Sequence, residues 1–381
     1  MFMVNLLIKY KKLLMVFVFC AFIYTPMLIW FFTKDIEQSL VEKRVLNKMP
    51  EISFSMTSIK KFPQLFTDYY SDHFGCREEL NDIYFQLMNF MGIRWTSDDF
   101  IYGKDGWLFL GNLNNNKHNN PIGHAMHTTF YTKEQLKLFA KNIQTIKNWL
   151  SKKNIEYYYL IAPNKHSIYF DKMPSYLTKK NKESATDQLV QYLRKNTDVN
   201  VIDLRGALLL KKQTQQLYYK HDTHWNFLGA NVAQYEIAKI IAEKFPNKIA
   251  PRFFEKDEFE MQIKKGGDLA NFARKFALEE ENPVPIFRDG CKPENDNPEN
   301  SRLFTMQCAT SDLKAIIFRD SFFLALEPYI TRYFKRSTYI WSSINFKELN
   351  EFIEKEQPHI VINEMIERTI PYYIIDANGF D

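Results

Sequence analysis

The sequence predicts an α/β fold built on a parallel sheet with helices on both faces, preceded by one membrane-spanning helix. Two observations predict it. From Lys133 onward, short apolar runs alternate with longer segments whose apolar residues recur at helical spacing. Strands that alternate with helices form a parallel sheet covered on both sides. Ahead of this pattern, residues 13–32 contain no charged side chain, and about 20 apolar residues are enough to cross a bilayer at 1.5 Å per residue.

With 381 residues, 45% of them hydrophobic, the chain can bury one large core or two modest ones. Its 33 Phe and 21 Tyr make both core and surface rich in aromatics. The formal charge of +5, from 50 basic and 45 acidic residues, is mild. Lysine pairs such as Lys60-Lys61, Lys179-Lys180 and Lys264-Lys265 are scattered rather than gathered on one stripe. That distribution argues against nucleic acid as a partner.

Residues 1–12 form a short tail that carries Lys9, Lys11 and Lys12, while Lys34, Asp35 and Glu37 follow the apolar run. The positive-inside rule places the tail in the cytoplasm and everything after Phe32 outside. A cleaved signal peptide is the alternative. The lack of an A-x-A site and the length of the apolar run favour an uncleaved anchor over residues 13–32. Residues 33–95 read as a helical stalk and packing region interrupted at Pro50 and Pro63, with Leu80, Ile83, Leu87, Phe90 and Met91 at helical spacing.

Residues 101–110 read as a hairpin turned by Asp105-Gly106. A polar loop over 112–129 follows, rich in Asn and His. Residues 133–152 predict a helix that buries Leu138, Ile143, Ile146 and Leu150, and 157–162 a buried strand stopped by Pro163. A helix over 184–195 and a strand over 199–204 come next. The helix over 226–245 is led in by Asn226 as N-cap. Strands over 313–318, 337–341 and 359–363, with a helix over 346–354, complete a domain that spans 96–381. Segment 275–312 is acidic and rich in Pro and Asn, and reads as a surface insertion. Cys291 and Cys308 bracket part of it and are placed to close a disulfide, Cys20 lies in the anchor, and Cys76 is left over.

The chemistry concentrates in His221-Asp222-Thr223-His224-Trp225-Asn226 and, about a hundred residues later, in Asp320-Ser321. In an extended segment positions i and i+2 point the same way, so Asp222 can hold the imidazole of His224 in one tautomer. Ser321, following the apolar run 315–318, stands at the carboxyl edge of the sheet, where open α/β proteins bind ligands. Nucleophile, base and orienter are then all present, which points to acyl transfer. Two other readings stand beside it. Asp320-Ser321 is also an ordinary helix cap. His221, Asp222 and His224 are good zinc ligands that His118, His124 and His127 would complete, although no H-E-x-x-H or comparably spaced set appears.

Several blocks resemble the alginate O-acetyltransferase family, whose periplasmic members carry an SGNH-hydrolase-like domain. They are Asp72-His73-Phe74 with Arg77; residues 103–110; Ala162-Pro163-Asn164-Lys165; residues 221–230; Gly266-Gly267-Asp268-Leu269; residues 318–322; and residues 358–368. Together they cover nearly everything beyond residue 70, in the family's order. The resemblance implies a permuted SGNH-like parallel sheet, with Ser321 as nucleophile and Asp222 and His224 as its partners. It makes Asn363 the candidate oxyanion donor, and puts Arg319 where a glycine is expected. Lys165 and Arg368 become candidates for binding an acidic glycan.

The expected function is a single-pass, inner-membrane O-acetyltransferase whose domain lies in the periplasm. It would move acetyl through an acetyl-serine onto a polysaccharide, with no cofactor and no metal. The resemblance also implies a multi-spanning membrane acyltransferase as the acetyl-donating partner. A polysaccharide acetylesterase and a non-catalytic glycan-binding or assembly protein are the alternatives.

Overall fold

The computed structural model describes residues 2–33, 35–39, 44–51, 55–91, 99–112, 120–273, 278–308, 311–370 and 375–380. It divides into two compact units, Met1–Trp95 with Asn271–Arg274, and Thr96–Ala270 with Lys275–Asp381.

The first unit holds three long helices, α1 (Phe2–Phe32), α2 (Met56–His73) and α3 (Arg77–Phe90). Within α1, the 23 residues Tyr10–Phe32 are long and apolar enough to cross a membrane. Pro63 does not interrupt this region as expected. It lies inside α2, where the Thr67 hydroxyl bonds the Pro63 carbonyl at 2.8 Å.

In the second unit, the central sheet contains β1 (Glu156–Ala162), β2 (Asn200–Asp203), β3 (Glu294–Asn295), β4 (Leu303–Gln307), β5 (Lys314–Phe318), β6 (Arg336–Ile340) and β7 (Ile360–Ile366). Its order is β2-β1-β7-β5-β6-β4-β3. The first five strands run parallel, and β4 and β3 add an antiparallel edge. Segment 275–312 is therefore more than a surface insertion. Phe304 and Thr305 of β4 are buried, and Glu279–Pro285 pairs with Phe259–Lys265 in a separate hairpin. Cys291 and Cys308 form a disulfide, and closing a loop of this size stabilises by about 3 kcal/mol.

Alternation along the strands divides the core in two, because successive side chains leave opposite faces of a sheet. Tyr158, Leu160, Ile202, Ala315, Ile317, Ile360 and Ile362 pack on one face with Ala230, Ala233, Ile237 and Ile241 of helix α6 (Phe227–Lys244). Tyr157, Tyr159, Ile161, Ile316, Phe318 and Val361 pack on the other. That face is covered by α4 (Lys133–Ser151), α5 (Ala185–Asn196) and α7 (Phe346–Glu356). In α4 the buried stripe is Leu136, Phe139, Ile143, Ile146 and Leu150, while Leu138, expected inside, is exposed. Leu138 lies two residues from Leu136, about 200° round the helix. The hairpin near residue 105 pairs Phe100–Tyr102 with Leu108–Leu110, and both Asp105 and Gly106 take positive φ at its turn.

Candidate active site

β5 ends at Phe318, and Ser321 opens a 3₁₀ turn over Ser321–Ala325. Asp320 caps that turn, its Oδ1 accepting the Phe322 N–H at 2.8 Å. Its Oδ2 accepts the N–H of Ile366 on β7 at 2.9 Å, and its own N–H donates to Glu364 Oε2 at 2.9 Å. The serine turn is thus fastened to β7 by two hydrogen bonds. Burial, and then the charge of Asp320, hold the Glu364 carboxyl well above its ordinary pKa, which favours the neutral acid under the turn. Arg319 replaces the expected glycine without opening the turn. Its buried guanidinium bonds the Ser301 carbonyl at 2.9 Å, pairs with Glu327 at 3.1 Å and lies 4.4 Å from the Trp341 ring centre.

The His221–Asn226 run forms a bend rather than the extended segment expected. Asp222 Oδ1 accepts the His224 backbone N–H at 3.1 Å, an Asx turn, and the same oxygen meets His224 Nδ1 at 2.6 Å. His224 Nε2 lies 2.8 Å from Ser321 Oγ. With Nδ1 facing a carboxylate, its proton belongs on Nδ1, and Nε2 is free to accept from the serine. Behind the imidazole, Asn226 caps α6 by accepting the Gly229 N–H, and the buried Trp225 donates Nε1–H to the Phe322 carbonyl at 2.9 Å. That last bond ties the histidine segment to the serine turn.

Four further residues fix Asp222 and its neighbours. Lys264, on the Phe259–Lys265 strand, reaches Asp222 Oδ2 at 2.8 Å. Burial pushes the Asp222 pKa up, but the hydrogen bond and charge of His224, joined by Lys264, outweigh it and hold the carboxyl well below the carboxylate range. Asp268 accepts the Thr223 N–H and the Leu269 N–H, both at 2.7 Å, and bonds the Thr223 hydroxyl. Its pKa is raised by burial and then by the Asp222 charge. Glu280 accepts the backbone N–H groups of Lys220 and His221 at 2.6 and 3.2 Å. Gly267, with φ +144, packs so closely under this bend that a Cβ there would stand 2.3 Å from the His221 carbonyl oxygen.

Lys165, expected to contact a glycan, is instead a buried strut. Its Nζ donates to the carbonyls of Leu108, Lys220 and Asp222 at 2.6, 2.8 and 3.0 Å, so all three ammonium protons are used inside the fold. Burial lowers its pKa to about 7.

Asn363 is also not where the oxyanion role requires it. It shares the β7 face of Val361, and its Nδ2 donates to Tyr157 Oη at 3.3 Å in the layer opposite Trp225 and Phe322. A second asparagine, Asn164, follows β1. It is buried, its Oδ1 accepts from Arg368 Nη1 at 3.1 Å, and its Nδ2 has no partner among the described residues. Arg368 is half-buried and stands 5.5 Å from the Phe322 ring centre, against which the His224 ring also packs at 4.7 Å.

His118 lies outside the described residues. His127 bonds the Asn181 carbonyl at 2.9 Å, while His221 sits 3.7 Å from Glu280. His124 is buried in the short helix Pro121–Ala125. Among the described residues, Asp222, His224 and Asp268 bring ligand atoms within 4.8 Å of one another. That set fits a cation poorly, because the Lys264 ammonium and the Thr223 and Leu269 donors already hold its carboxylate oxygens. Lys264 lies outside the blocks that carry the family resemblance; Asn164, Asp268 and Glu364 lie inside them, but no sequence signal gives their contacts.

Residues 100–310 match the family model described as the SGNH hydrolase-like domain of acetyltransferase AlgX. No curated protein sequence matches. Among solved structures, Bacillus cereus PatB1 is similar at TM-score 0.50 and 15% identity, covering 75% of this chain and 100% of that one. PatB1 has also been solved with a sulfonyl adduct. The O-acetyltransferase domain of Pseudomonas putida AlgJ gives TM-score 0.47 at 16% identity, with 74% of this chain and 95% of that chain covered. Pseudomonas aeruginosa AlgX gives TM-score 0.43 at 15% identity, covering 71% and 62%. At such identities the likeness to PatB1 is one of fold.

Proposed function

The chain belongs to the family of the SGNH hydrolase-like acetyltransferase AlgX domain, and we propose that it is an O-acetyltransferase working through an acetyl-serine on Ser321, with a polysaccharide hydroxyl as acceptor. The observation that carries the reading is the hydrogen-bonded relay from Asp222 through His224 to Ser321, at 2.6 and 2.8 Å. In the first half-reaction Ser321 Oγ attacks the acetyl carbonyl, and its proton passes to His224 Nε2. The donor's leaving group departs with that proton. In the second, His224 takes the proton of a sugar hydroxyl whose oxygen attacks the acetyl carbon, and returns it to Ser321 Oγ as the ester to serine breaks.

The tetrahedral oxyanion needs donors. We assign the Ser321 N–H, which at the first position of its turn has no intrahelical acceptor, and the spare Asn164 Nδ2. Each well-placed donor is worth roughly 3 kcal/mol. Arg368, half-buried beside Phe322, is the cation we assign to substrate.

The reading includes residues 13–32 as a membrane anchor that leaves this domain outside the cytoplasm. Acetyl groups would then reach it from a multi-spanning membrane acyltransferase. The support for the anchor is the uncharged run in α1 and the lysines before it.

Incubation of the full chain with an activated acetyl ester should place one acetyl group on Ser321, read by peptide mass spectrometry. Ser321→Ala and His224→Ala should abolish the label. Adding acetylatable glycan should speed its loss and yield acetylated sugar. Release to water alone, with glycan present, would make the protein an esterase, and undiminished labelling of Ser321→Ala would remove the site altogether.

A further inference from the structure

Helix α3 carries an apolar stripe that is largely exposed among the described residues. Leu80, Tyr84, Leu87 and Met91 recur at the i, i+4, i+7, i+11 spacing of one helix face, with Ile83 at its flank. Ile83 is 62% exposed, Leu87 53%, Met91 51% and Tyr84 42%. A surface helix of a soluble domain would turn such a stripe inward.

The position of the helix within its unit says what covers the stripe. The turn from α2 to α3 packs directly on α1, since a Cβ at Gly75 would stand 2.1 Å from the Pro26 carbonyl oxygen. Pro26 is six residues before the end of α1 at Phe32, about 9 Å along the helix axis. If α1 spans the bilayer, the start of α3 therefore lies at the outer lipid–water boundary, whose headgroup layer is only about 6 Å thick. Aromatic residues gather at the same level. Trp30 meets Tyr69 and Tyr70 at 6.5 and 5.3 Å between ring centres, and Tyr70 meets Phe74 at 5.6 Å. Trp and Tyr concentrate at that depth because one end of each ring is apolar and the other polar.

We propose that α3 is an interfacial membrane helix, its Leu80-Tyr84-Leu87-Met91 face seated among the acyl chains of the outer leaflet. This rests on the anchor reading above and extends it. The chain would touch the membrane with a second element that lies on the bilayer rather than spanning it. Continuity with α1 is what selects lipid over protein as the occupant, for the first turn of α3 is already at bilayer depth before any partner is considered. An in-plane helix with one apolar stripe is the form that binds lipid surfaces.

The test uses the full chain with Cys20→Ala and Cys76→Ser, reconstituted in vesicles of phosphatidylcholine and phosphatidylglycerol. Single cysteines at Ile83, Leu87, Asn81 and Phe22 carry an environment-sensitive fluorophore, and Cys291 and Cys308 stay in their disulfide. Emission at Ile83 and Leu87 should be quenched by doxyl-labelled lipid and shielded from aqueous iodide, with the opposite at Asn81. Iodide quenching at Ile83 and Leu87 equal to that at Asn81 would overturn the proposal. So would shielding from both quenchers, because the cover would then be protein. Phe22, in the middle of α1, separates the two readings. If it is quenched by lipid while α3 is not, only the interfacial helix fails. If iodide reaches Phe22, the anchor fails and takes the proposal with it.

Discussion

Replacing Lys165 with Met tests how the site is held together. The substitution keeps the length of the side chain but removes an ammonium that bonds three carbonyls, among them that of Asp222. Burial drops the pKa of Lys165 from 10.5 to about 7, which corresponds to about 5 kcal/mol of difference between the two protonation states. The sign follows from proton binding. Between pH 7 and 10.5 the unfolded chain holds a proton on Lys165 that the folded chain does not, so unfolding free energy rises with pH across that window. The contribution is complete above 10.5 and lost as pH falls through 7. Between pH 6 and 9 it amounts to about 3 kcal/mol, and Lys165→Met removes it. The assay is chemical denaturation of both proteins at pH 6, 7, 8 and 9, followed by near-ultraviolet circular dichroism of the aromatic core. The stability of wild type relative to variant should grow by about 3 kcal/mol over that range. Acetyl labelling of Ser321 should also slow by about 10²-fold, the penalty for displacing a reacting group by an ångström. A stability difference that does not change with pH would refute the reasoning, because it would mean that the ammonium is solvated.

Lys264→Met should destabilise by about 2 kcal/mol at neutral pH, the worth of one hydrogen-bonded partner of a buried charge. The Asp222 pKa is depressed, so its contribution is present above its ordinary value and lost as pH falls through the folded one. The gap between wild type and variant should therefore close in denaturation curves taken at progressively lower pH. Gly267→Ala should cost at least about 2 kcal/mol, from a φ of +144 that alanine tolerates badly and a Cβ driven against the His221 carbonyl. A lower melting temperature together with slower Ser321 labelling checks it. Dialysis against a chelator should leave Ser321 labelling unchanged, whereas a stoichiometric zinc lost together with activity would return the Asp222-His224-Asp268 group to consideration as a metal centre.

The alternation of strands and helices was legible because the inner strands β1, β5 and β7 are buried on both faces and read largely as apolar runs. The neighbourhood of Asp222, His224 and Ser321 was legible for a local reason. An Asp two residues before a His, with a helix cap following, leaves few conformations, and a serine at the end of an apolar strand can stand only at the sheet's carboxyl edge. The local geometry itself was read wrongly. The carboxylate reaches the imidazole through an Asx turn, which also spends Asp222 Oδ1 on the His224 backbone N–H. Lys264 could not be read at all, because its 42-residue separation from Asp222 is closed by a hairpin whose register no short pattern reports.

Asn363 shows how sharply one position matters. Register pairs Asn363 with Phe318, so the expected strand is at the expected level, next to the strand that feeds Ser321. A one-residue change of parity moves a side chain to the opposite face, and Asn363 falls on the face of Val361, bonded to Tyr157. Its neighbour Glu364 turns toward the serine turn and takes the Asp320 N–H. Two residues further on, the Ile366 N–H holds the other side of the same cap. Glu367 then accepts the Asn164 N–H at 2.9 Å and the Ser167 hydroxyl at 2.6 Å, and Arg368 holds the Asn164 side chain. β7 and the two residues after it therefore position both the serine turn and the asparagine we assign to the oxyanion. An insertion or deletion of one residue anywhere in 360–366 would exchange those faces. It would abolish labelling of Ser321 while leaving Asp222, His224 and Ser321 all present in the chain.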